Sequence, residues 1–390
     1  MTQTTWPAER RQFQDAQTGR TITQLTSMGN NVHLYFTENS FDASGTSIIF
    51  LSDRASGEQR LPHEDPCYNI FRMDLVSGQI EQLTDEPAGV SSVTKTPDSE
   101  LIVFISGGKQ VRALNTRSGQ ITTIYEEQGN FSIGAPSIAV NRRYVAFCRN
   151  EKVEVPRGPN YTGFKESFYR IKDGRVTVAY LDGSGWFDAW KDTHWLGHFQ
   201  FCPDDPTIGS FCHEGPWHLV TQRIWLLDFA AREAFPCFRQ VEEDSVGHEF
   251  WTQDGLIFFD NRGPGHDGTI TSDRSQAVAH EVAVNQNTMI PYVGLADRRG
   301  QVVRQIDMPY YCNHYHANPD NSILVGDDVD DIVLITIGGA AAELSTLVSN
   351  HGTSWHTQSS HCHPTWSWAG SHILYASDRG GRVNLYMVEP

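Results

Sequence analysis

One short pattern stands near both ends of the chain and limits what it can fold into. Ile48-Ile49-Phe50-Leu51 is apolar and runs into Ser52-Asp53-Arg54. Asn69-Ile70-Phe71-Arg72-Met73-Asp74-Leu75 and Gln82-Leu83-Thr84 follow. Far downstream, Ile373-Leu374-Tyr375-Ala376 runs into Ser377-Asp378-Arg379 and then Asn384-Leu385-Tyr386-Met387. Each copy reads as a strand, a polar turn and a second strand. Weaker copies lie between, led by Thr96-Pro97-Asp98, Val140-Asn141-Arg142, Cys202-Pro203-Asp204, Thr252-Gln253-Asp254-Gly255 and Asn318-Pro319-Asp320. That makes seven units of about fifty residues, the size of a four-stranded propeller blade.

The last unit ends after too few strands. Thr21-Ile22-Thr23-Gln24-Leu25-Thr26 copies the Gln-Leu-Thr strand, so an N-terminal strand is expected to complete the last blade. Such closure removes the exposed sheet edge of an open array. The fold expected is all-β, a seven-bladed β-propeller closed by an N-terminal strand, with residues 1–390 as one domain. The alternative is a pair of β-sandwich domains hidden by an irregular middle.

Composition narrows the function classes. The formal net charge is −17, which argues against a nucleic-acid partner. No run is long and apolar enough to span a membrane, and Met1 to Asp15 has no apolar signal region. The seven cysteines are odd in number and form no CxxC pair. They read as buried thiols of a reducing compartment, so the cytoplasm is the expected location. The acidic run Asp327-Asp328-Val329-Asp330-Asp331 lacks the spacing of an EF-hand loop and reads as solvated surface. Arg60 to Pro66, Pro156 to Lys165 and Asn261 to His266 break the repeat as polar insertions.

The histidines are unevenly placed: 14 of 16 lie after position 190. Gln358-Ser359-Ser360-His361-Cys362-His363-Pro364 puts two of them at i and i+2. On an extended segment both point to one face, while Cys362 points to the other. Imidazole nitrogens with a Gln carbonyl suit a divalent transition metal. His198, His248, His314 with His316, and His361 with His363 each precede the first apolar run of a unit. In a propeller those positions converge on the central axis. Neither His213-Glu214 nor His248-Glu249 belongs to an HExxH motif. Gly183-Ser184-Gly185 is not a nucleophile elbow.

Longer motifs carry a resemblance. Phe211-Cys212-His213-Glu214-Gly215-Pro216 with Arg223-Ile224-Trp225 resembles a signature of the oligogalacturonate lyases. So do His248-Glu249-Phe250-Trp251, Cys312-Asn313-His314, Gln358-x-x-His361-x-His363-Pro364 and the opening Phe13-Gln14-Asp15. The resemblance implies β-elimination on short oligogalacturonides, acidic oligosaccharide substrates, with a Mn²⁺-type divalent metal. It implies that His314, Gln358, His361 and His363 hold the metal, that His248 is the base and that Arg223 binds substrate charge. His198, His213 and His33 are the substrate-binding candidates. The chain departs from the pattern at Pro216-Trp217-His218 and at the extra His316. A lyase for another uronate, such as a rhamnose-linked glucuronide, therefore stays open, as does a non-catalytic TolB-type binding propeller.

Overall fold

The computed structural model describes residues 4–58, 60–156, 158, 161–270, 291–339 and 341–390. Seven antiparallel sheets follow one another along the chain. The innermost strands are Asn31–His33, Val90–Lys95, Ser137–Ile138, Leu196–Phe201, Val246–Trp251, His314–Ala317 and Thr365–Trp366. Each is followed by strands stepping outward, as in Ile323–Asp327, Ile332–Thr336 and Glu343–Val348 of the sixth blade. The expected propeller is the observed one.

Its core is layered between blades. Among the described residues there is an apolar cluster at every seam. Ile49 and Ile70 meet Ile102 and Phe104 between the first and second blades. Ile224 and Leu226 meet Val246 and Phe259 between the fourth and fifth. Middle strands are covered on both faces, so they are apolar without strict alternation; Leu101–Ser106 is buried at five of its six positions. The recurrent Asp of the turn ties down the chain that enters a blade. Asp53 accepts from the Asn30 amide at 2.6 Å, and Asp378 accepts from the Ser354 amide at 2.8 Å.

Closure goes one strand further than expected. Thr21–Gln24 pairs with Asn384–Val388 in the register Ile22↔Val388, and Arg11–Gln14 then adds an outermost strand to the same blade. Thr5–Trp6 crosses to the outer edge of the first blade, against Ile80–Gln82. The insertion at 156–165 leads into a short helix, Phe164–Arg170, where a polar loop was expected; Arg157, Pro159 and Asn160 lie outside the described residues.

One segment leaves the repeat to plug the axis. After Asn31–His33 the chain turns into the channel, and Phe36 is fully buried against the core of the fifth and sixth blades. A cavity of about 560 Å³ lies on one side, lined by His33, Tyr35, His198, Glu214, Gln358 and His363 among others. A smaller one of about 190 Å³ lies on the other, and Glu38 borders both.

Candidate active site and metal centre

Three histidines meet at the axis. His314 opens the inner strand of the sixth blade, and His361 and His363 lead into Thr365–Trp366 of the seventh. Ring centroids are 4.1 Å apart for His314–His363, 5.4 Å for His314–His361 and 5.5 Å for His361–His363, at interplanar angles of 66°, 40° and 55°. One nitrogen from each lies within 4.8 Å of the others. Nδ1 of His361 and Nε2 of His363 are buried with no hydrogen-bond partner. An unmatched buried nitrogen costs about 1–3 kcal/mol, and two aimed together are explained by a shared ligand.

Asp327 sets the third ring. It faces His314 across the strand pair, and its Oδ2 lies 3.0 Å from His314 Nδ1, which leaves Nε2 for the common point. Burial drives His361 down to about 2, with His314 and His363 well below the ordinary histidine value. All three are then neutral imidazoles, the form that binds a metal. The donor set fits a divalent transition cation. Cys362 points away as expected, into the seam between the sixth and seventh blades. Gln358 stands exposed at the cavity rim on the short 3-10 helix Gln358–Ser360. His316 is not part of the group: its ring stacks on Phe250 and it borders the smaller cavity.

His248 adjoins the triad, with its ring 5.2 Å from His314 and 5.7 Å from Phe36. Its Nδ1 lies 3.2 Å from Asp260 Oδ1. Nη2 of Arg262 lies 3.4 Å from the same nitrogen, so a proton on Nδ1 suits Asp260 and a lone pair there suits Arg262. Burial first, against the opposing pull of Asp260, lowers His248 to about 4. Arg262 is fully buried and donates to the carbonyls of Cys312 and Asn313 at 3.1 and 3.0 Å; its Nε lies 3.3 Å from Asp260.

The backbone aims these side chains. His248 has φ 49° and His198 has φ 51°, a region that costs a non-glycine residue energy. Both sit where the inner strand loses register, between Gly247 and Phe250 and between Gly197 and Gln200. A bulge of this kind re-aims a side chain beside a site. Gly247 has a steric reason as well: a Cβ there would fall 1.9 Å from the Trp217 ring. Trp217 packs edge-on to His248 at 5.0 Å, with Arg223 and Arg262 on its ring at 5.5 and 4.8 Å.

Arg223 and His198 share a second group with Glu214 and Glu249; His198 and Glu214 line the cavity, whereas Arg223 is buried and does not. Arg223 Nη1 donates to Glu214 Oε1 at 3.0 Å and its Nε donates to Glu249 Oε2 at 3.1 Å. His198 Nε2 lies 3.2 Å from Glu214 and its Nδ1 3.5 Å from Glu249. Burial by itself would lower His198, but the two carboxylates outweigh it and raise it. The charge of Arg223 is thus already paired with two carboxylates.

His33 lines the cavity, but its Nδ1 and Nε2 lie 2.7 and 3.0 Å from the carbonyls of Leu34 and Cys362. His213 is not brought to the cavity. It points to the opposite face of its strand from Glu214, which does reach it, as strand alternation requires. There it lies 3.2 Å from Asp192, stacked on His194 with centroids 4.1 Å apart. The acidic run is not all solvated: Asp327 and Asp328 are buried. Sequence reasoning missed Asp260, Arg262, Asp327 and the plug Tyr35-Phe36: Asp260 and Tyr35-Phe36 continue apolar runs, Arg262 lies in a polar insertion and Asp327 heads the acidic run; the period-2 rule alone would have exchanged His213 for Glu214.

A family model described as oligogalacturonate lyase matches residues 6–390. The chain is 24% identical over 407 residues to the oligogalacturonate lyase of Dickeya dadantii (strain 3937), covering 97% of this chain and 95% of that protein. It is 23% identical over 400 residues to the oligogalacturonide lyase of Pectobacterium atrosepticum (strain SCRI 1043), with the same coverage. A solved oligogalacturonate lyase in complex with manganese superposes with a TM-score of 0.82 at 22% identity, over 99% of this chain and 97% of that one. Another from Vibrio parahaemolyticus gives 0.82 at 19% identity, over 100% and 98%.

Proposed function

The chain belongs to the oligogalacturonate lyase family, and from that premise we propose that it cleaves short oligogalacturonides by metal-assisted β-elimination, leaving a 4,5-unsaturated uronate. The observation that carries this reading is the convergence of His314, His361 and His363 beside the His248–Asp260 pair.

His314, His361 and His363, with Gln358 from the rim, would hold the cation, Mn²⁺ as in the solved relative. When bound there, the cation supplies Lewis-acid stabilisation for the negative charge that builds on the uronate carboxylate. The C5 proton, α to that carboxylate, goes to Nε2 of His248. Nε2 accepts when Nδ1 carries the ring proton toward Asp260, which Nε of Arg262 also contacts. The lowered basicity keeps His248 unprotonated at neutral pH and ready to accept. Trp217 and Phe36 keep water off two sides of the imidazole. Arg223, buried and held by Glu214 and Glu249, adds positive charge next to the lining residue Glu214.

We take residues 1–390 as one catalytic unit. Among the described residues, no helix is long and apolar enough to cross a membrane. The seven free thiols support a reducing, cytoplasmic setting, in which such an enzyme would finish short products of pectin breakdown. The test is ultraviolet absorbance of the unsaturated product from di- and trigalacturonate, with Mn²⁺ and with chelator. A rise that chelator abolishes is expected. A rise only on glucuronate-containing oligomers would move the substrate. No rise on any uronide would overturn the lyase reading.

A further inference from the structure

β-Elimination needs a proton for the departing O4 oxygen as well as a base for C5, and the groups on the cavity wall differ in whether they have one to give. Both nitrogens of His198 face carboxylates, and both nitrogens of His33 face carbonyl oxygens. Nε2 of His198 is held by Glu214, its Nδ1 is buried without a hydrogen bond and so is closed to the cavity, and both nitrogens of His33 are taken. Tyr35 differs. It sits on the plug next to the buried Phe36, is 37% exposed and lines the cavity. Its hydroxyl has no hydrogen-bond partner among the described residues. Its ring lies edge-on 5.0 Å from His363 and 6.0 Å from His198. His248 instead touches Phe36, Trp217 and His314. The phenol and the base thus flank the histidine triad from different sides.

We propose that Tyr35 is the acid that protonates the leaving O4 oxygen, an inference that rests on the lyase reading above. In this step the C5 proton passes to His248 Nε2 and its electron pair becomes the C4=C5 double bond. The C4–O4 bond breaks with its pair on O4, and the phenolic proton of Tyr35 goes to O4. The phenolate then takes a proton from solvent while His248 releases one, so the cycle is balanced.

The test is Tyr35→Phe, which removes only the hydroxyl, assayed on trigalacturonate and on a galacturonate carrying 4-nitrophenol at O4, a leaving group that needs no proton. Mn²⁺ binding is read separately by electron paramagnetic resonance. On trigalacturonate we expect kcat to fall about 10²–10⁴-fold with KM within about threefold of wild type. On the nitrophenyl substrate the variant should stay within about threefold of wild type, with Mn²⁺ binding unchanged. Full kcat on trigalacturonate, or an equal loss on both substrates, would overturn the role of Tyr35 while leaving the lyase standing. A wild-type protein inactive on every uronide would overturn both.

Discussion

Among the described residues three groups satisfy the same crude distance condition, and the two with more than one histidine differ in how their rings are aimed. In the axial group, His314, His361 and His363 meet at 40–66° and two of their nitrogens are unmatched. In the flank group, His194 and His213 are nearly parallel at 9°, and each gives a nitrogen to Asp192, at 2.6 and 3.2 Å. An imidazole lone pair lies in the ring plane. Parallel stacked rings keep those planes apart and cannot both aim at one ion. The flank nitrogens are also already matched. Residue type and proximity are therefore a weak criterion; ring orientation and unmet hydrogen bonds separate a ligand set from a structural knot.

The sharpest test of that contrast is to remove one ring from each group. His363→Ala should abolish Mn²⁺ binding and lower activity by several kcal/mol of lost stabilisation, about 10³-fold or more, whereas His213→Ala should leave one Mn²⁺ per chain in a calorimetric titration. Equal losses would break the distinction. His248→Ala should lower kcat about 10²–10⁴-fold while Mn²⁺ still binds, which separates the base from the ligands. Next in size is the support of the ligands. Asp327→Asn should weaken Mn²⁺ about 10–100-fold, and Asp192→Asn should not change it.

A smaller effect concerns the backbone. Gly247→Ala drives a Cβ into Trp217 and should cost about 1–3 kcal/mol in urea unfolding; an unchanged midpoint would show that Trp217 is free to move. The smallest is in the flank group. Burial opposes ionisation of Asp192, but the contacts with His213 and His194 prevail and hold it below the usual carboxylate range. A depressed carboxylate adds stability above its unfolded value, near pH 4, and that stability fades as the pH falls further. The fall in urea midpoint from pH 5 to pH 3 should be shallower in Asp192→Asn than in wild type.

Much of the fold was legible because each blade repeats its own turn. Ser52-Asp53-Arg54 and Ser377-Asp378-Arg379 mark equivalent corners, and Gln24-Leu25-Thr26 signals the closing strand. The triad was legible because His361-x-His363 is local and His314 begins a unit. The rest depends on what faces what across blades. Asp260 and Asp327 sit at the ends of apolar strands with no local signal of a role. Phe36 reads as the continuation of a strand, yet the chain has already turned into the axis. The charge of Arg223 was visible, but not the two carboxylates that hold it, which arrive from other strands.

The seventh blade, joined from two distant parts of the chain, has a consequence for biosynthesis. Thr21–Gln24 leaves the ribosome long before Asn384–Val388, its partner. Until that partner is made, the hairpin of Arg11–Gln14 and Thr21–Gln24 has one edge unpaired. The imidazoles at 361 and 363 emerge in the same late stretch, so cation capture cannot assist folding of the earlier blades. Ring closure and assembly of the metal centre therefore fall together late in synthesis, and a chain that stops before residue 361 loses both.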